Sequence, residues 1–146
     1  MSRPSKFSSR TMRMSDWPTI RHFGVAEFKA PEMMGYEFML WLDKVRFEAQ
    51  VEMPISSSYR SPSYNKSVGG AADSSHTDDI CNAVDIARTP STNDPNWNYS
   101  RWKIIEAAIR LGCRRIGLYP SGSLHLDRTE DVRPAPRLWV KVDNPA

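Results

Sequence analysis

Only two cysteines, Cys81 and Cys113, and only three histidines, His22, His76 and His125, occur in this 146-residue sequence. Two cysteines without a CxxC spacing exclude a disulfide framework and any multi-cysteine zinc or iron-sulfur site, and they permit one bridge at most. No run approaches the ~18 consecutive apolar residues of a membrane span. The opening stretch MSRPSKFSSRTMRMSDW is basic but has no apolar segment of the kind a secretory signal needs. Neither a membrane span nor an export signal is expected, so two free buried thiols are the expected state. A Cys81–Cys113 bridge is the alternative for an oxidising compartment.

What is present describes one soluble globular domain: 40% of residues are apolar, 25% charged, and the formal net charge is +3. A chain of this length buries roughly 70% of the surface it exposes when unfolded, which suffices for folding without a structural metal. Any metal here is therefore expected to serve function. The basic excess is local, because Arg3, Lys6, Arg10, Arg13 and Arg21 face only Asp16 in the first stretch. Residues 1–16 read as a flexible basic arm and 17–146 as the domain, with nucleic-acid or membrane-surface contact through the arm as a lesser alternative.

Between Pro31 and Ala49, Met34, Phe38, Leu42 and Val45 recur at helical spacing, which predicts a core-packing helix. Val51 to Ser57 suits a short strand. The run YRSPSYNKSVGGAADSSH then reads as a loop with a brief helical turn, reversing at Gly69 and Gly70. CNAVDIA suits a buried strand carrying Asp85. An ionised carboxylate among such neighbours must be paired or coordinated, since a bare one costs several kcal/mol. After the polar loop TPSTNDPNWNY, Ser100 is expected to cap a helix with Trp102, Ile105, Ala108 and Ile109 on its buried face and Gly112 as its stop. Strands are expected at Arg115 to Tyr119, at Ser123 to Asp127 and, closing the sheet, at Arg137 to Val142. In the second of these, Ser123, His125 and Asp127 share one face and Leu124 and Leu126 the other.

His76, Asp85 and His125 together supply two imidazoles and a carboxylate, a common catalytic zinc set that leaves a fourth position for water. Their spacing does not force them together. A loop histidine, a salt-bridged buried aspartate and a strand histidine in a hydrogen-bond network would account for the same residues.

The run SSYRSPSYNKSVGGAADSSH, followed by NAVDI and then IGLYPSGSLHLD, resembles the M15 peptidases, zinc D-alanyl-D-alanine carboxypeptidases and peptidoglycan endopeptidases that share their fold with the hedgehog signalling domain. The upstream RHFGVAEFKAPEMMGYEFMLWLDKVRFEAQVEMPISSSYR is similar to the short phage and bacterial branch, so the resemblance covers about residues 20 to 128. It implies zinc ligands at His76, Asp85 and His125, and a substrate-end role for Arg60, whose guanidinium fork suits a terminal carboxylate or a polarised carbonyl. Ser74 matches the serine of the SxH motif and would hydrogen-bond substrate.

Departures from the family pattern bear on the chemistry. HTDDICNAVD holds two more residues than the usual spacing between the first ligand and the aspartate, which puts Asp78 and Asp79 near the metal as solvated carboxylates or extra ligands. Cys81, in the same insertion, is a further optional ligand. The acid that several relatives carry three residues before the last histidine is here Gly122. Asp127, on the strand face of His125, is then the expected general base, with orientation of a ligand histidine as its competing role. Ser123 and Glu130 are weaker candidates.

The resemblance thus implies an α+β domain with a small, mainly antiparallel sheet and helices packed on one side, hedgehog-like, holding one Zn2+. The implied activity is that of a hydrolase, a zinc metallopeptidase cutting amide bonds in peptidoglycan stem peptides as a carboxypeptidase or endopeptidase. Cell-wall degradation is the expected setting, by a phage-encoded endolysin or by a bacterial enzyme exported by another route, with cytoplasmic synthesis, a monomeric state and no specific nucleic-acid partner. The alternative is a non-catalytic zinc-containing module that binds peptidoglycan or protein.

Overall fold

The computed structural model describes residues 4–88 and 96–141. Three helices, α1 (Tyr36–Ala49), α2 (Pro62–Ser67) and α3 (Trp97–Arg110), accompany a five-stranded sheet. The strands are β1 (Ile55–Ser57), β2 (Ala83–Ile86), β3 (Arg115–Leu118), β4 (Leu124–Asp127) and β5 (Arg137–Val140), in the order β1-β2-β4-β3-β5. All pairings are antiparallel except β3 with β5, so the α+β architecture carries a mixed sheet. No helix among the described residues is long and apolar enough to cross a membrane.

The alternation expected for residues 123–127 is what divides the sheet. Leu124 and Leu126 join Val84, Ile86 and Ile116 in one core with Phe38, Leu42, Val45 and Ile104 of α1 and α3. The opposite face carries Asp85, His125 and Asp127 on the two central strands. β2 pairs with β4 so that Asp85 lies directly across from His125. Such a pair brings side chains on one face within roughly 5 Å at their Cβ atoms.

The α1 helix follows its expected period, beginning after Gly35, whose carbonyl accepts the Met39 N–H. In α3 the buried face differs from the sequence expectation. Trp97, Ser100, Ile104, Ala107 and Ala108 turn inward, whereas Trp102 and Ile109 are exposed. Apolar residues lie on two sides of this helix, and the side containing Trp97 wins because its indole also donates to the Gly122 carbonyl at 3.0 Å. Ser100 lies inside α3 instead of capping it. Gly112 stops the helix as expected, at φ +99°, which a side chain would strain. Residues 89–95 of the polar loop and Val142 of the last strand lie outside the described residues.

The basic stretch at the start is no free arm from residue 4 onward. Ser8 is buried and bridges two elements, donating to Asn82 Oδ1 at 2.6 Å and accepting the Phe38 N–H at 3.0 Å. Met12 is buried and bonds to the Met34 carbonyl, and Arg10 forks onto Asp16 while covering the Tyr36 ring. The segment is held by hydrogen bonds from small polar side chains, which leave no hydrophobic period to read. Cys81 and Cys113 are both free and buried, and burial pushes each thiol up to about 12, far from the reactive thiolate range.

Candidate metal centre

Ser74, as N-cap of the turn Ser75–Thr77, accepts the His76 N–H and turns the imidazole onto the sheet. There His76 meets Asp85 and His125, and one potential ligand atom from each lies within 4.8 Å of the others. The hydrogen bonds settle which atoms these are. His76 Nδ1 lies 2.6 Å from the Ser58 carbonyl, which can only accept, so Nδ1 carries the hydrogen and Nε2 faces Asp85 Oδ1 at 3.2 Å. His125 stands between two carboxylates, with Nε2 2.7 Å from Asp127 Oδ2 and Nδ1 3.0 Å from Asp85 Oδ1, so Nδ1 is the nitrogen it turns toward the other two residues.

Two ring nitrogens, His76 Nε2 and His125 Nδ1, are therefore aimed at one carboxylate oxygen, an arrangement that suits a cation between them. A tetrahedral divalent ion with nitrogen and oxygen preferences fits this donor set. In its absence a proton serves. Burial pulls the His125 pKa down, but the hydrogen bonds and charges of Asp127 and Asp85 outweigh that and push it up to about 9. Burial raises Asp85 in turn, and its bonds to His125 and His76 more than reverse this, holding the carboxyl well below the usual range.

Asp127, expected as the general base, has both carboxylate oxygens engaged. It is fully buried and lies across the imidazole from Asp85, on the side away from the other ligand atoms. Its Oδ1 accepts from Arg115 Nε at 2.8 Å and from the Thr129 N–H and hydroxyl, and its Oδ2 takes His125 and Ser75. A carboxylate so occupied fixes the tautomer and direction of His125. Glu130 is spent on Arg128 and the Arg114 N–H.

Arg60 is likewise anchored, donating to Ser57 Oγ, Asn65 Oδ1 and Asp85 Oδ2 at 3.0, 2.9 and 3.2 Å, which leaves Asp85 Oδ1 for the histidines. Its backbone N–H holds the His76 carbonyl at 2.8 Å. Asp78, expected as a solvated carboxylate or ligand, forms a two-pronged pair with the buried Arg133, at 2.9 and 3.0 Å. Arg133 also bonds Asp73, so the inserted residues strap the His76 turn to the segment after β4. Asp79 is exposed, and Cys81 points its thiol at backbone carbonyls.

Gly122 sits at φ +96° with the Trp97 ring 3.0 Å from where a Cβ would be. Indole packing and a left-handed backbone thus occupy the place where relatives are expected to carry an acid. Among the described residues lining the cleft, the carboxylates are Asp73 and Asp85.

The centre opens into a cleft of about 670 Å³. One wall comes from Tyr64 of α2 and Val68 just after it, the other from Tyr119, Arg137 and Trp139. Trp139 lies across Gly117, its ring centroid 5.2 Å from that of His125. Sequence reasoning missed Trp139, Tyr119, Ser75 and Arg133. Trp139 and Tyr119 could have been noticed from the alternation of their strands; Ser75 and Arg133 carried no local signal.

A profile of the family described as Peptidase M15 matches residues 17–127. The matched span contains all three candidate ligands and stops at Asp127, short of Arg133 and Trp139. No curated protein matches the chain.

Proposed function

The chain belongs to the peptidase M15 family, and from that premise we propose that it is a zinc metallopeptidase that hydrolyses amide bonds in peptidoglycan stem peptides, as a carboxypeptidase or endopeptidase. The observation that carries this reading is the convergence of His76 Nε2, Asp85 Oδ1 and His125 Nδ1 at the floor of an open cleft. These residues would hold the ion. When bound, zinc supplies a water acidic enough to attack near neutral pH and a Lewis acid for the scissile carbonyl.

The protein's own groups do the rest. Ser58 and Asp127 keep the two imidazoles in the tautomers that ligate. Arg60 steadies Asp85 and retains two of its five N–H donors for a substrate carboxylate or carbonyl. Ser74, committed as a cap to His76, still lines the cleft and can accept from a substrate amide. A phage lysis enzyme acting as a monomer on the cell wall is the setting we infer from the resemblance of the motifs.

A second reading is favoured by one observation. Gly122 holds no acid and cannot readily take one, so a zinc-containing module that binds wall peptides without cutting them would look the same. Purified peptidoglycan digested with the zinc-loaded chain and analysed by mass spectrometry separates the two. Release of D-alanine or of cleaved stem peptides, abolished by chelator and restored by zinc, supports the peptidase; intact wall fragments bound to a zinc-loaded chain leave the binding module.

A further inference from the structure

We propose that Tyr119 is a catalytic residue of this centre, its phenol donating a hydrogen bond to the carbonyl oxygen of the scissile amide as that oxygen gains charge. The inference rests on the peptidase reading above and adds a residue to it.

Tyr119 follows directly on β3 and pairs with Ser123, its N–H bonding the Ser123 carbonyl at 3.1 Å. By strand alternation its side chain stands on the face of Gly117, Ser123 and His125, one step diagonally from His125 across the β3–β4 ladder. Diagonal neighbours at this distance are within reach of an aromatic side chain. It lines the cleft together with His76, Asp85 and His125 and is half-buried there. A tyrosine this enclosed normally spends its hydroxyl on a partner. Among the described residues, the Tyr119 hydroxyl has none.

The two buried or half-buried arginines on the same walls are anchored, although Arg60 keeps two N–H groups for substrate and Arg137 and Lys141 stand at the exposed rim. Arg115 is held by Asp127 and the Pro134 carbonyl, and Arg60 is pinned by Ser57, Asn65 and Asp85. Burial, and then the negative charge of Asp85, raise the phenol's pKa further above its ordinary value, so it remains a donor throughout the working range. As the water oxygen adds to the carbonyl carbon, the π electrons of the C=O bond move onto the carbonyl oxygen, where the phenol O–H meets them. When the C–N bond breaks, the amine leaves with the proton that the water gives up. The phenol keeps its own proton throughout, so its contribution is a hydrogen bond that strengthens in the transition state.

The test is Tyr119→Phe in the zinc-loaded full chain, which keeps the ring and removes one oxygen. Zinc content should stay at one per chain, and kcat on a stem peptide should fall about a hundredfold with KM within threefold. Affinity for a phosphinate analogue of that peptide, whose tetrahedral oxygens mimic the charged carbonyl oxygen, should fall at least tenfold, with affinity for the uncut peptide unchanged. Activity and phosphinate affinity both within twofold of wild type would overturn the proposal. Should the wild-type chain cut nothing, the phosphinate measurement decides alone. A tenfold difference keeps Tyr119 as donor while the peptidase reading falls, and equal or absent phosphinate binding removes Tyr119 as well.

Discussion

Trp139 lies so close over Gly117 that a Cβ at position 117 would stand 2.6 Å from the indole ring. The missing side chain is what lets a tryptophan on the edge strand β5 cross β3 and reach His125. Gly117→Ala should therefore push the indole off the imidazole, destabilise the protein by about 1–3 kcal/mol and weaken zinc binding. Trp139→Leu placed in the same chain should recover most of that loss, because the overlap is with the ring. Urea unfolding of the two single variants and the double variant measures the coupling; simple additivity would contradict it.

Asp127 is buried on the far side of His125 from the other ligands, which separates its two conceivable roles. If it orients the imidazole, Asp127→Asn lowers zinc affinity about 10–100-fold, as loss of such partners generally does. A competing chelator titration reads this. A variant that kept its zinc affinity yet lost turnover would instead restore Asp127 as the base.

Arg133 is a buried cation whose partners, Asp73 and Asp78, sit on either side of the His76 turn. Arg133→Ala should cost about 3 kcal/mol in the metal-free protein, the scale of breaking a largely buried pair. Zinc occupancy at limiting zinc should fall as well, because the turn carrying one ligand is freed. Asp78→Asn should do the same more mildly. Denaturant melts and metal analysis of both variants check the order.

The metal-free protein should show a defined pH response. His125 holds its proton more tightly when folded, at about 9, than at its ordinary value of 6.5. That contribution is complete below pH 6.5 and is lost as pH rises through 9. Asp85 and Asp127 act with the opposite sign: their lowered values give stability that is present above the ordinary carboxylate range and is lost as pH falls through their folded pKa. Chelated protein should thus melt highest between about pH 4 and 6.5, the ordinary values of the two group types, and lower by pH 9.5. Zinc must displace the His125 proton, so its affinity should tighten by up to about tenfold per pH unit below 9. Calorimetric binding at three pH values would reveal a flat response if no proton is exchanged.

Much of this centre was legible because the relevant patterns are local. The alternation around His125 placed it opposite the two leucines, and an aspartate inside NAVDI demanded a partner; the structure supplies both histidines and Arg60. What escaped was decided by distant chain segments. The register that sets Asp85 beside His125, the strap from Arg133 and the indole reaching over Gly117 each join residues that no window of sequence contains. Asp127 looked free from its strand face alone, and only Arg115 and Thr129 reveal how fully it is held. In α3 two apolar faces competed, and the bond from Trp97 to a turn two elements later chose between them.

The packing of the early residues has a bearing on how the molecule is made. Ser5 and Lys6 both bond to Asp131, across separations of 126 and 125 positions. During synthesis those residues emerge long before their partner and must wait, exposed, until the segment after β4 has left the ribosome. Contacts closed over so long a loop slow folding, so these early residues are among the last to settle. A chain halted before residue 131 would display an unclosed seam to the cell's chaperones and proteases.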